Sequence, residues 1–283
     1  MGFFDLFKKK NDEPIYHKGE SDLEIKEGKH FFDSCKNIKI GKKAVVLEAT
    51  NTDFDCICGK VKVHVFNNGS IKKLSGKAKV GMVKSGKITT ISEKASVTTI
   101  NTCEIDYIKN KAKIGTFNSG SIKFVDDKVK ITTFKGGKVW FLRNRSKIGT
   151  MIDGDIVVME DCSKITTMMN GNIEYILNSA YIGTVNDGQI SKLCDLGNVA
   201  SQNNGAISLL MGNAKVDAQI EGKITNIAGN AKVIYSQGKP DNFSVILPPK
   251  KEEKDEEKET EESKEPKEKI KEEKPTTKKI TKK

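Results

Sequence analysis

Ala112-Lys113-Ile114-Gly115-Thr116-Phe117-Asn118-Ser119-Gly120-Ser121-Ile122-Lys123-Phe124-Val125 is answered, at a step of 17, by Val129-Lys130-Ile131-Thr132-Thr133-Phe134-Lys135-Gly136-Gly137-Lys138-Val139-Trp140-Phe141-Leu142. The same step runs outward in both directions, without insertion or deletion, from about Val46 to Val233. One apolar column reads Phe54, Ile71, Ile88, Ile105, Ile122, Val139, Ile156, Ile173, Ile190, Ile207 and Ile224. A second reads Val46, Val63, Val80, Val97, Ile114, Ile131, Ile148, Ile165, Ile182, Val199, Val216 and Val233, and the two interleave at steps of eight and nine. A short, unbroken period of this kind belongs to a solenoid, in which each unit buries its core only against its neighbours.

The finer pattern repeats as well. Small residues stand two places before each column, for example Gly120 before Ile122 and Ala112 before Ile114, with Cys103 in one glycine slot. Further apolar residues follow three places after, such as Phe117 and Val125. β-Branched runs broken by Gly, Asn and Asp favour strands and turns over helices. A spacing of two fits neighbours on one strand face, whereas a spacing of three requires a bend. Each half-unit therefore reads as strand, corner, strand, and two half-units make one coil of a single-stranded parallel β-helix. About eleven coils stacked about 4.8 Å apart give a rod on the order of 50 Å long. Two readings fit the glycine column: a site without room for a side chain or with φ above zero, or plain turn chemistry.

The domain organisation follows from where the period holds. Residues 46–238 form the expected β-solenoid, preceded by a cap region at 13–45 whose apolar residues lack clean periodicity. Phe243 to Leu247, before Pro248-Pro249, reads as a last strand in a C-terminal cap at 239–249. From Lys250 to Lys283 the chain is nearly all Lys and Glu, a composition that cannot bury enough apolar surface to fold. At the other end, residues 1–12 set Phe3, Phe4, Leu6 and Phe7 directly before Lys8, Lys9 and Lys10. That pairing suits the interface of an anionic bilayer and is too short to span one. A partner-docking segment or a frayed terminus are the other readings.

The chain carries 49 basic and 38 acidic side chains, for a formal charge of +11. Much of the excess is a row one place before the second column: Lys62, Lys79, Lys113, Lys130, Lys147, Lys164, Lys215 and Lys232. The row should point outward and either keeps a sheet face soluble or holds an anionic polymer or lipid surface. With two arginines and few aromatics expected on the surface, sequence-specific nucleic-acid readout is disfavoured. Six cysteines without a regular pairing, and no secretion signal, predict reduced thiols and a cytoplasmic protein. Cys56, Cys58 and His64 match no standard zinc spacing.

Candidate chemistry is sparse. The three histidines, His17, His30 and His64, lie early in the chain and beside no plausible nucleophile, and no phosphate-binding glycine loop ends in Lys-Ser or Lys-Thr. Coils of equal length leave no loop excursion from which to build a concave site. A threonine column, Thr99, Thr116, Thr133, Thr150, Thr167 and Thr184, is preceded alternately by Thr and Gly. A hydroxyl ladder bonded along the stack is its plainest reading. No catalytic, cofactor-binding or metal-binding residue is expected.

Short apolar-basic start, uninterrupted solenoid and charged tail together resemble the bactofilins, bacterial polymer-forming cytoskeletal proteins. The resemblance is carried by Gly120-Ser121-Ile122, Ala112-Lys113-Ile114 and Phe3 to Lys10. It implies a right-handed β-helix, nucleotide-free end-to-end polymerisation and membrane association through the N-terminus. The expected protein is thus a non-enzymatic scaffold whose partners are its own copies, an anionic membrane surface and protein clients of the tail. The alternative is a binding module that offers the lysine row to an anionic glycan, lipid or nucleic acid.

Overall fold

A computed structural model of the chain describes residues 13–237 and the strand Ser244–Ile246. The apolar-basic segment at 1–12, the tail at 250–283 and most of the 239–249 cap lie outside the described residues. Every described element of regular structure is a β-strand, and the 24 strands form one parallel sheet wound upon itself. The fold is the expected all-β parallel solenoid, with about thirteen turns where the fixed period counts eleven.

Each coil of the regular region consists of two strands and two corners. The strand β11 (Lys130–Phe134) is followed, after a short corner, by β12 (Lys138–Leu142). A second corner then leads to β13 (Lys147–Met151), one coil further on. Between β11 and β13, Lys130 pairs with Lys147, Ile131 with Ile148, Thr133 with Thr150 and Phe134 with Met151. Thr132 and Gly149 are left out of that register. The chain bends there, so Ile131 and Phe134, three apart, both point inward and are fully buried. The half-unit expected as strand, corner, strand is therefore one five-residue strand with a bend at its middle residue, and the corner lies between β11 and β12.

The bend also explains the alternation of Thr and Gly. A Cβ on Gly149 would lie 2.5 Å from the carbonyl oxygen of Thr132 in the coil below, and Gly115 and Gly183 meet Thr98 and Thr166 in the same way. Every second coil therefore approaches its predecessor too closely for a side chain at this corner. From Thr98 to Gly183 this corner repeats every two coils, and Ala200 and Asp217 end the alternation.

The ladder extends beyond the region of fixed period. β1 (Ile15–Lys18) and β2 (Glu24–Ile25) pair with β3 (Lys29–Asp33) and β4 (Ile38–Ile40), which pair in turn with β5 (Val45–Ile57). Ile15 pairs with His30 and His30 with Val46, both shorter steps than the regular one from Val46 to Val63. Residues 13–45, read from sequence as a cap region, thus supply further rungs whose unequal steps hide them from a fixed period. At the far end β22 (Lys223–Ala228) pairs with β24 (Ser244–Ile246), and Asn226 opposite Ser244 is a step longer than the regular one.

Cysteine chemistry differs from expectation at one place. Cys56 and Cys58 are joined by a disulfide, so they offer no thiolate to a metal, whereas Cys35, Cys103, Cys162 and Cys194 are free. Cys103, in its glycine slot, is 2% exposed, and burial pushes its thiol up to about 12 from 9.0. The folded state holds that proton more tightly than the unfolded state does. The resulting stabilisation is complete below pH 9 and is lost as pH rises from about 9 towards 12. The stability gap between wild type and Cys103→Ala, measured by urea unfolding, should shrink by about 1 kcal/mol between about pH 8 and about pH 10.

Candidate functional site

Surface chemistry on a solenoid is set by files, rows of equivalent residues one coil apart. The predicted lysine row is such a file. Lys62 pairs in register with Lys79, and Lys113, Lys130, Lys147 and Lys164 follow one another without interruption. Ser96 separates the two runs, Tyr181 and Asn198 end the second, and Lys215 and Lys232 resume the file. Six of the eight are exposed, while Lys147 and Lys164 are half-buried.

Partners divide the row. Lys215 bonds Asp217 at 3.1 Å, and the Lys164 ammonium lies 4.3 Å from the Tyr181 ring centroid. No described carboxylate lies within ion-pair distance of Lys62, Lys79, Lys113, Lys130 or Lys147. Elsewhere the lysines Lys72 and Lys123 sit 2.7 Å from Asp55 and Asp106, hydrogen bonds that raise the pKa of each ammonium. The unpaired file is therefore a line of mutually repelling charges at coil spacing. Replacing Lys113, Lys130 and Lys147 together by Gln should raise Tm by on the order of 1–3 °C at low salt, a gain that about 0.5 M salt erases.

A second file escapes the reading of the sequence. Tyr107, Phe124, Phe141, Val158 and Tyr175 occupy one outward position in successive coils. Tyr107 and Phe124 stack at 5.0 Å and 8°, and Phe124 and Phe141 at 5.1 Å and 10°. Because each ring covers its neighbour's face, ring edges rather than faces meet solvent. Arg143 lies over Phe124 and Lys192 over Tyr175, and Trp140 beside the file is 42% exposed under the Lys138 ammonium. The expectation of few surface aromatics is therefore wrong on this side. Its signal is present in the chain: each of these residues stands two places after the first apolar column, directly before a buried one such as Val125 or Leu142.

The threonine file is in register from Thr99 to Thr184 and faces outward, half-buried. Among the described residues no hydrogen bond joins its hydroxyls to one another. Bonding along the stack comes instead from asparagines, as from Asn118 to Asn101 at 2.9 Å and Asn203 to Asn186 at 2.7 Å.

Two of the three histidines come together. His17 and His30 meet at 3.1 Å in the first coils, His17 bonds Glu20 at 3.0 Å and His30 bonds the Glu27 carbonyl at 2.9 Å. Their nitrogens are thus occupied structurally. Asp126, at a corner, accepts from Arg143 at 3.2 Å and from Asn144 at 2.6 Å. Among the described residues no three His, Cys, Asp or Glu side chains are grouped to hold a metal ion.

The two ends differ from the middle. Leu23 and Ile25 near one end, and Ile227, Ala231 and Val233 near the other, are only partly buried against the core. The described residues place no strand beyond β1 and β2, nor beyond β24 and β23 (Lys232–Ser236), so each terminal rung has an unpaired edge among them. Ile15 and Tyr16 on one end rung, and Ile234 and Tyr235 on the other, are all more than half exposed. Among the described residues no helix is long and apolar enough to cross a membrane.

Comparison with family models, curated proteins and solved structures finds no match to this chain.

Proposed function

We propose that this chain is a non-enzymatic scaffold whose copies associate end to end. The supporting observation is that, among the described residues, the core is sealed along its length while the strand edges of the two terminal rungs have no partner. An unpaired edge with exposed apolar side chains is a template for another chain. Electron microscopy and light scattering should find filaments in the full chain or in a version trimmed to residues 13–249. Monodisperse short particles in both preparations would reject the reading.

Bactofilin-like organisation supports a cytoplasmic polymer tethered to an anionic membrane by Phe3, Phe4, Leu6, Phe7 and Lys8 to Lys10, with the tail reaching protein clients. Sedimentation with vesicles containing phosphatidylserine should depend on that segment. Equal sedimentation of a variant lacking residues 1–10 would remove the tether.

The unpaired lysine file favours a second reading, a binding face for an anionic polymer or lipid surface. Salt-sensitive retention on heparin should then weaken when Lys113, Lys130 and Lys147 become Gln. Unchanged retention would leave the file as a solubilising device.

A further inference from the structure

End-to-end association can join unlike ends or like ends, and the composition of the two terminal coils distinguishes them. Residues 13–28, the first coil, expose five acids, Glu13, Glu20, Asp22, Glu24 and Glu27, against two lysines, Lys18 and Lys26. Residues 222–237, a described stretch of equal length at the other end, contain Lys223 and Lys232, both exposed, and no acid, and the sequence between β23 and β24 adds Lys239 and Asp241. A contact between two N-terminal coils would oppose five acids to five. A contact between unlike ends opposes acids to lysines. Complementary charge steers association and like charge across an interface is costly.

The side-chain files point the same way. Tyr16 and Tyr235 belong to one file: it runs Tyr16, Phe31, Glu48 and Val65, passes through the threonines, and ends at Ser201, Ala218 and Tyr235. Tyr16 already stacks on Phe31 at 4.7 Å and 8°. It is nonetheless 73% exposed, and Tyr235 is 57% exposed. Laying β1 of one copy on β23 of another, in the parallel sense of every other pairing, sets Tyr235 over Tyr16, and a one-residue bulge like the one between β3 and β5, where His30 faces Val46 and Phe31 faces Glu48, sets Val233 over Ile15. Both contacts extend files already present.

Resting on the end-to-end reading, we infer that copies join head to tail: the open edge of β23 and β24 of one copy docks on the acidic first coil of the next. The partner is a second copy of this chain, and the filament has a direction.

Crosslinking of full-length protein tests the polarity. In a Cys162→Ser background, Y16C and Y235C are prepared separately, one carrying a size tag. Oxidation of a mixture should give tagged-untagged covalent pairs, and neither variant alone should give any. Covalent pairs from Y16C alone, or from Y235C alone, would establish like-end joining and overturn the polarity while leaving end-to-end assembly standing. Assembly without any crosslink would also overturn it.

Charge reversal supplies a second readout independent of the tyrosines. E20K/D22K/E24K should raise the concentration needed for assembly on the order of tenfold or more, and adding K223E/K232E to the same chain should restore it. Failure to restore, with both variants folded by circular dichroism, counts against unlike ends. Absence of assembly in the wild type overturns the end-to-end reading itself, and the polarity with it.

Discussion

Gly137→Val is expected to destabilise the solenoid by about 3–5 kcal/mol, enough to unfold the coils around it, whereas Lys138→Val, the next position along, stays within about 0.5 kcal/mol of wild type. Gly137 has φ +92°, and a Cβ there would stand 2.4 Å from the Gly120 carbonyl oxygen and 2.9 Å from its nitrogen. The obstacle is backbone, which cannot rotate aside. Two costs combine: a left-handed conformation that a β-branched residue resists, and a steric overlap relieved only by parting two coils. Lys138 begins β12 on the outside, at a strand position that suits Val, and loses only a cation–π contact with Trp140. Thermal unfolding of the two variants checks the pair. Equal melting would show that the glycine file is turn chemistry and nothing more.

Phe134→Ala should cost about 3–5 kcal/mol. Its ring is fully buried, stacks on Phe117 at 5.4 Å and 6°, and lies so close to Gly154 that a Cβ there would meet it at 2.8 Å. Met151 occupies the next place in the file. The cavity would open beside the Gly154 backbone, the Phe117 ring and Met151, of which the backbone and the stacked ring are least able to move into it. Because a solenoid couples each coil mainly to its neighbours, the loss should appear first as local opening. Hydrogen exchange in residues 113–151 should then accelerate before global unfolding. Uniform acceleration along the whole chain would show coupling of longer range.

The repeat makes the architecture legible because buried positions, corners and register all return at one interval. Ile131 and Phe134 are apolar for the same reason in every coil, and their spacing alone requires the bend. Legibility fails where the interval changes. The steps from Ile15 to His30 and from His30 to Val46 are both shorter than the regular one, so the first rungs fall out of the column although they pair like the rest. It fails again where two apolar residues adjoin. Phe124 beside Val125 reads as a single apolar patch, and only the fold says that one points out. The lysine file is legible because a charge next to a buried column has one way to face. Which of its members lack a partner depends on neighbours in adjoining files, which no single column contains.

The corner where Gly149 rests on Thr132, and Thr166 on Gly149 in turn, constrains how such a chain can change its size. Excising two whole coils keeps each threonine following a glycine and each glycine following a threonine across the splice. Excising a single coil sets two identical corners against each other, without the room that alternation provides. Between Thr98 and Gly183 the solenoid therefore grows and shrinks most easily in doublets, like a brick wall whose courses are laid two at a time.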